Sequence, residues 1–144
     1  MQLVRLIYVS VMTEACDTSA LQRILEVSRT KNTARKITGV LCYDPSYFLQ
    51  CLEGPKDTVN ALYGDIVRDV RHKHVTLLEY ATVEEREFGA WSMAFVHAST
   101  IDKQIVGKYT QGLRFDPFEL SSEQANDFLV DVARHTSRHM AAQR

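Results

Sequence analysis

A chain of 144 residues fits one ordinary domain, and 45% hydrophobic with 24% charged residues is the composition of a globular protein, not of a disordered or fibrous one. A formal net charge of −1 gives no overall electrostatic drive toward nucleic acid or an anionic membrane. No apolar run approaches the roughly 20 residues of a membrane-spanning helix, and Met1 to Ser10 alternates apolar and polar residues around Arg5 where a secretory segment would be unbroken, so a cytoplasmic location is expected.

Leu3 to Ser10 has strand periodicity, with Val4, Leu6 and Tyr8 on one face and Leu3, Ile7 and Val9 on the other. Ser19 and Gln22 have capping-box spacing, and Leu21, Ile24, Leu25 and Ser28 follow at i, i+3, i+4, i+7, which predicts a helix from Ser19 to Lys31. Asn32 then reads as a left-handed cap. Ile37 to Tyr43 and Tyr47 to Glu53 are strand-like around the Asp44-Pro45-Ser46 turn and predict a hairpin, with Phe48, Gln50 and Leu52 sharing a face. Gly54-Pro55 ends that strand where a helix can begin, and Val59, Leu62, Tyr63, Ile66 and Val70 form its stripe. Val75 to Val83 and Ala90 to Val96 read as two further strands, the last placing Trp91, Met93 and Phe95 on one face.

The order βαββαββ with right-handed crossovers predicts an α+β, ferredoxin-like fold with a five-stranded mixed sheet and both helices on one face. The other face carries Leu3, Ile7, Val9, Tyr47, Leu49 and Cys51, too apolar to be left in water. Two more helix signals supply a cover. Ile101 to Tyr109 stops at Gly112, and Ser121 with Gln124 caps a stripe of Ala125, Phe128, Leu129 and Val132. The expected organisation is a sensor-sized unit over residues 1–97 and a helical extension over 98–144 packed on the back of the sheet. Cys16, Cys42 and Cys51 are odd in number and contain no CxxC, so no disulfide framework or zinc site is expected, and no metal is assigned.

Gln50 is an amide on a face that should be buried, and Tyr8 is a phenol in a strand expected to be central. Either fits a satisfied core group as well as a ligand contact. In order and spacing, however, the segments Leu6-Ile7-Tyr8-Val9-Ser10, Ser28-Arg29-Thr30-Lys31-Asn32, Ile37-Thr38-Gly39-Val40-Leu41, Phe48-Leu49-Gln50-Cys51-Leu52-Glu53-Gly54-Pro55, Asp69-Val70-Arg71-His72 and Phe88-Gly89-Ala90-Trp91-Ser92-Met93 closely resemble the BLUF family of flavin-binding blue-light sensors. The resemblance covers residues 2–97, and the tail resembles the short, stand-alone members that end in two helices.

The resemblance implies a non-enzymatic photoreceptor that holds FAD or FMN non-covalently between its two helices. Ile24 and Ile66 are implied as apolar clamps, and Asn32 as partner to the polar edge of the ring. Gln50 would lie between the flavin and Tyr8. Light would drive electron and proton transfer from Tyr8 and rewire the hydrogen bonds of Gln50, which gives a red-shifted signalling state. Lys31, Arg71, His72 and Arg35 are implied near the ribityl and phosphate end, with Ser28 and Asp69 in the same matched segments. Lys31 stands where another Asn is often found, and Asp65 where a base can stand, which leaves FAD and FMN both open. Trp91 and Met93 are implied as photoactive relays on the last strand, beside the strand of Gln50. The signal would leave through the tail to a downstream protein (a response-regulator-like protein, a cyclic-dinucleotide enzyme or a transcription factor) or through homo-oligomer formation, without membrane or direct nucleic-acid binding. Two other classes compete. A small enzyme would start from His72 and His74 or from His135 and His139, but neither pair has a third ligand in its motif. An RNA-binding module would need exposed aromatics in basic strands, and the strands carry few cations.

Overall fold

The computed structural model describes residues 2–112 and 114–142. Its elements are β1 (Leu3–Met12), α1 (Thr18–Arg35), β2 (Thr38–Tyr43), β3 (Tyr47–Pro55), α2 (Lys56–Val67), β4 (His72–Val83), β5 (Ala94–His97), α3 (Lys103–Tyr109) and α4 (Ser122–Ala142), with short 3-10 turns at Ala98–Thr100 and Pro117–Glu119. The sheet order is β4-β1-β3-β2-β5. All pairs are antiparallel except β2 with β5, so the ferredoxin-like order is extended by one parallel edge strand.

The alternation read in β1 holds. Val4, Leu6 and Tyr8 join Leu52, Phe48 and Val59 in a core under α1 and α2. Ile7 and Val9 join Leu49, Cys51, Val40 and Cys42 in a second core, closed by Val106, Phe115, Phe128, Leu129 and Val132 of the tail. Both faces are therefore covered, and the open face that would stack RNA bases is not present among the described residues. The tail is seated by the capping box foreseen for it. Gln124 N–H donates to Ser121 Oγ (3.1 Å) and Ser121 N–H to Gln124 Oε1 (3.0 Å).

Several element boundaries differ from the sequence reading, each for a local reason. Helix α1 is capped by Asp17, whose Oδ1 accepts from Ala20 N–H at 2.8 Å, so Ser19 lies inside the helix. The helix also runs past Asn32 to Arg35. The left-handed cap is Lys36 at φ 59°, and Asn32 is an interior residue, only 3% exposed. Helix α2 ends at Val67, which leaves Val70 in the connection to β4 and 77% exposed instead of in the apolar stripe. Strand β4 starts three residues before Val75, at His72, because Met12 extends β1 and pairs with it.

The largest correction concerns the last strand. It is Ala94–His97, not Ala90 to Val96, and it pairs with β2, so β2 separates it from the strand of Gln50. Trp91 and Met93 precede it in a bent segment. In a strand, residues two apart point the same way; with the bend at Ser92, Met93 enters the helix-side core and Trp91 packs on the tail-side core.

Candidate functional site

A cavity of about 350 Å³ opens between α1, α2 and the sheet. Its floor comes from strand positions of one face: Tyr8 on β1, Phe48 and Gln50 on β3, Leu41 on β2. Tyr8 and Gln50 stand directly opposite each other across β1 and β3. That register brings the phenol to the amide: Tyr8 Oη donates to Gln50 Oε1 at 2.5 Å. The other end of the amide, Nε2, donates to Met93 Sδ at 3.6 Å. A side-chain amide carries a donor and an acceptor on one rotatable group, and here each is held by a different neighbour in a site only 6% exposed. Burial pushes the Tyr8 phenol well above the usual tyrosine range, with Tyr63 and Asp69 adding to it, so the hydroxyl keeps its proton. The ring of Tyr63 lies 5.8 Å from that of Tyr8.

The eleven residues expected to contact a cofactor, namely Tyr8, Ile24, Ser28, Lys31, Asn32, Arg35, Gln50, Ile66, Asp69, Arg71 and His72, all line this one cavity. Ile24 on α1 and Ile66 on α2 contribute apolar walls from the two helices. Asn32 is only 3% exposed, and it lines the cavity. Its amide is placed where it can meet a polar edge of a ligand in the cavity, and the helix cap is Lys36 instead.

Two residues have roles the sequence did not suggest. His72 is held on both sides: Nδ1 lies 2.8 Å from Ser10 Oγ, and Nε2 bonds the carbonyl of Ile66. Both ring nitrogens are thus engaged in tying β1 to the end of α2, and its ring stands edge-on to Tyr8 and Phe48. Arg71 grips Asp69 through Nε and Nη2, which holds the Asp69 carboxyl below the usual carboxylate range. Asp65 pairs with Arg68 at 2.7 Å. The remaining cations on the cavity wall, Arg23, Lys31 and Arg35, are all on α1 and have no carboxylate partner among the described residues.

Arg23, Val27, Leu41, Phe48 and Leu62 also line the cavity and were not among the expected contacts. Leu62 and Phe48 were visible as members of a stripe and a strand face. Arg23 and Val27 belong to the row Arg23, Val27, Lys31, Arg35 at i, i+4 spacing. That row is mostly polar, so a search for an apolar stripe passes over it. Among the described residues no cluster of His, Cys, Asp and Glu could hold a metal ion. Of the histidine pairs, His72 is engaged as above, and the side chain of His139 lies outside the described residues. Among the described residues no helix is long and apolar enough to cross a membrane.

The family described as "BLUF: Sensors of blue-light using FAD" matches residues 3–94. The chain belongs to the BLUF family. Its members sense blue light through a bound flavin, and the BLUF match takes in every element around the cavity. The chain is similar to the photoactivated adenylate cyclase subunit alpha of Euglena gracilis, 37% identical over 89 residues, 62% of this chain and 9% of that protein. It is also similar to the blue light- and temperature-regulated antirepressor BluF of Escherichia coli (strain K12), 30% identical over 91 residues, 63% of this chain and 23% of that protein. The chain thus spans less than a quarter of either curated relative. Among solved structures it resembles the photo-activated state of BlsA, with a TM-score of 0.79 at 32% identity, covering 90% of this chain and 93% of that one.

The BLUF cavity fits a flavin on its own evidence: apolar walls from two helices, the polar groups of Tyr8 and Gln50 on its floor, and the Asn32 amide in its lining. Asn32→Ala is expected to weaken flavin binding by on the order of tenfold, the equivalent of about 1–2 kcal/mol for one hydrogen bond. Titration of the flavin-free protein followed by flavin fluorescence measures this; an unchanged dissociation constant would leave Asn32 without a binding role.

Proposed function

We propose that this BLUF chain is a photoreceptor whose switch is the chain of contacts Tyr8–Gln50–Met93, and that its tail is the output element. The observation that carries the reading is the two-sided hold on the Gln50 amide, Tyr8 Oη to Oε1 and Nε2 to Met93 Sδ. Flavin, when bound, supplies absorption of blue light and an excited state that is a strong oxidant. The residues around it supply the rest. Tyr8 keeps its proton on Oη in the dark, and would release it along the bond to Gln50 Oε1 only together with an electron given up to the flavin, both returning to the phenol when the charges recombine. Rotation or tautomerisation of the Gln50 amide then changes which neighbour faces the donor and which the acceptor. The Met93 sulfur is a weak acceptor, so that end of the amide is released at small cost.

Ile24 and Ile66 would hold the ring system and Asn32 its polar edge. The α1 cations Arg23, Lys31 and Arg35 suit the phosphates, and the pairing of Asp65 with Arg68 partly offsets its charge there. This cationic edge supports FAD, the flavin in the family's description, over FMN. Ser28 would border the ribityl chain.

The test is spectroscopic. The flavin-loaded protein should show a small, reversible red shift in blue light, and Tyr8→Phe should bind flavin yet lose it, because the proton on Oη is gone. A wild-type protein without the shift would overturn the photoreceptor reading. Ordinary red-state formation in Tyr8→Phe would move the donor role away from Tyr8.

The output reading divides the chain into a sensor over residues 1–97 and an extension over 98–144. It is supported by the position of Met93 and Trp91, on opposite sides of one short bend between the switch and the tail. A downstream signalling protein or a second copy of the chain would receive the signal there. Its class is a response-regulator-like protein, a cyclic-dinucleotide enzyme or a transcription factor; the similar antirepressor speaks for the last. Hydrogen exchange over residues 98–142 should differ between dark and light; identical exchange, with unchanged oligomer size, would reduce the tail to a lid.

A further inference from the structure

The segment between β4 and β5 is fastened to the sheet by two charged side chains that touch neither Tyr8 nor Gln50. Glu53, at the end of β3, is 0% exposed. Its carboxylate accepts two backbone N–H groups of the segment, Glu87 to Oε2 and Phe88 to Oε1, each at 2.8 Å. Arg86 reaches back in the opposite direction. Its guanidinium donates to Thr38 Oγ1 (2.8 Å), to the Glu53 carbonyl (3.0 Å) and to the Lys36 carbonyl (2.6 Å). A buried carboxylate is costly unless its oxygens are satisfied, and here the satisfying groups are the backbone of the loop itself. The loop then closes in a turn, Trp91 N–H to the Phe88 carbonyl at 3.1 Å, and Gly39 N–H holds the Trp91 carbonyl at 3.3 Å. Two residues further on, Met93 meets the Gln50 amide.

We infer that Glu53 and Arg86 are positioning residues for the switch: their clamp sets the turn that sends Met93 to Gln50 and Trp91 to the tail-side core. This rests on the reading of Gln50 as the switch. An extended chain would put residues 91 and 93 on one face. The fold instead divides them, and the fastened turn is what imposes the division. With the clamp loosened, Phe88 and Glu87 lose their acceptors and the bend is free to straighten, so the Met93 sulfur leaves the amide and Trp91 leaves its packing.

The experiment uses the flavin-loaded full chain with Glu53→Gln and, separately, Arg86→Lys. Glu53→Gln keeps one acceptor and sets an amide NH₂ against the second N–H. Arg86→Lys keeps the charge at a half-buried site but cannot span three acceptors. Trp91 is the only tryptophan of the chain, so its emission reports the loop directly, and the side-chain ¹⁵N–¹H signal of Gln50 reports the Met93 contact in the dark. Both variants should shift the Trp91 emission and the Gln50 amide signal, and speed dark recovery by about tenfold, the effect of one charge-assisted hydrogen bond. If Glu53→Gln does not fold, Arg86→Lys carries the test alone. Variants that only melt earlier, with the emission, amide signal and recovery rate of wild type, would overturn the inference. The two dark-state signals stand apart from the photocycle. A wild type without a red shift therefore defeats the switch, whereas unchanged dark signals in the variants defeat the clamp.

Discussion

Gln50→Leu should yield a protein that still binds flavin and no longer changes its absorption in blue light. Leucine fills nearly the volume of glutamine but has neither donor nor acceptor. Tyr8 Oη would lose the acceptor it now meets at 2.5 Å, and Met93 Sδ its donor. Leaving the buried phenol unsatisfied costs about 1–3 kcal/mol, a tolerable loss for a domain of ordinary stability. The apolar walls and Asn32 are untouched, so binding persists. The expected result is therefore a complete loss of the shift with a modestly lower melting temperature. Difference spectra before and after illumination measure it, and a surviving shift would mean that the signal does not pass through this amide.

Gly39→Ala should have the largest effect on folding of any single methyl added to the sheet. A Cβ built at residue 39 would lie 1.9 Å from the carbonyl oxygen of Cys51 on the neighbouring strand, and 3.4 Å from the Met93 methyl. The first contact is with backbone in the centre of a sheet and cannot be relieved by a rotamer change. Either the β2–β3 ladder opens or β2 shifts, and each forfeits hydrogen bonds in a core with almost no free volume. Gly39 N–H also holds the Trp91 carbonyl, so the Met93 bend is disturbed too. A loss of more than about 3 kcal/mol is expected, in the range of the severe core substitutions. It should appear as a sharply lowered urea midpoint or as insoluble protein. A midpoint close to wild type would show that β2 can move away from β3 at little cost.

Period-2 alternation made the two faces of β1 and β3 legible in the sequence, because side chains in a strand must point to opposite sides. The tail was legible for a related reason: six apolar residues on the back of the sheet required a cover, and only one part of the chain offered a stripe at helical spacing. Asn32 was misread as a cap because Asn and a left-handed helix end go together statistically, whereas the position is decided by Lys36, four residues later. The bend at Ser92 was not legible at all. Ala90 to Val96 is good strand material, and what interrupts it is a clamp formed by Glu53 and Arg86, residues 39 and 6 positions away from Ser92 in sequence. A glutamate at the end of a strand gives no hint that it will be fully buried. The cavity wall on α1 was half legible for the opposite reason: its members were named one by one, but the polar row with Arg23 and Val27 has no apolar period to draw attention to it.

The core that closes the back of the sheet has a practical consequence for anyone wishing to transplant this light sensor. Ile7, Val9, Leu49 and Cys51 share one cluster with Phe115, Phe128, Leu129 and Val132. The recognisable family segment, however, stops at residue 94. A fusion cut at the edge of that segment would carry the whole cavity and would also carry a bare apolar plate, the kind of surface that sticks to any other exposed hydrophobic face. The portable unit is therefore longer than the recognisable one. A chimera needs either residues up to the end of the α4 stripe or a new host surface shaped to take their place.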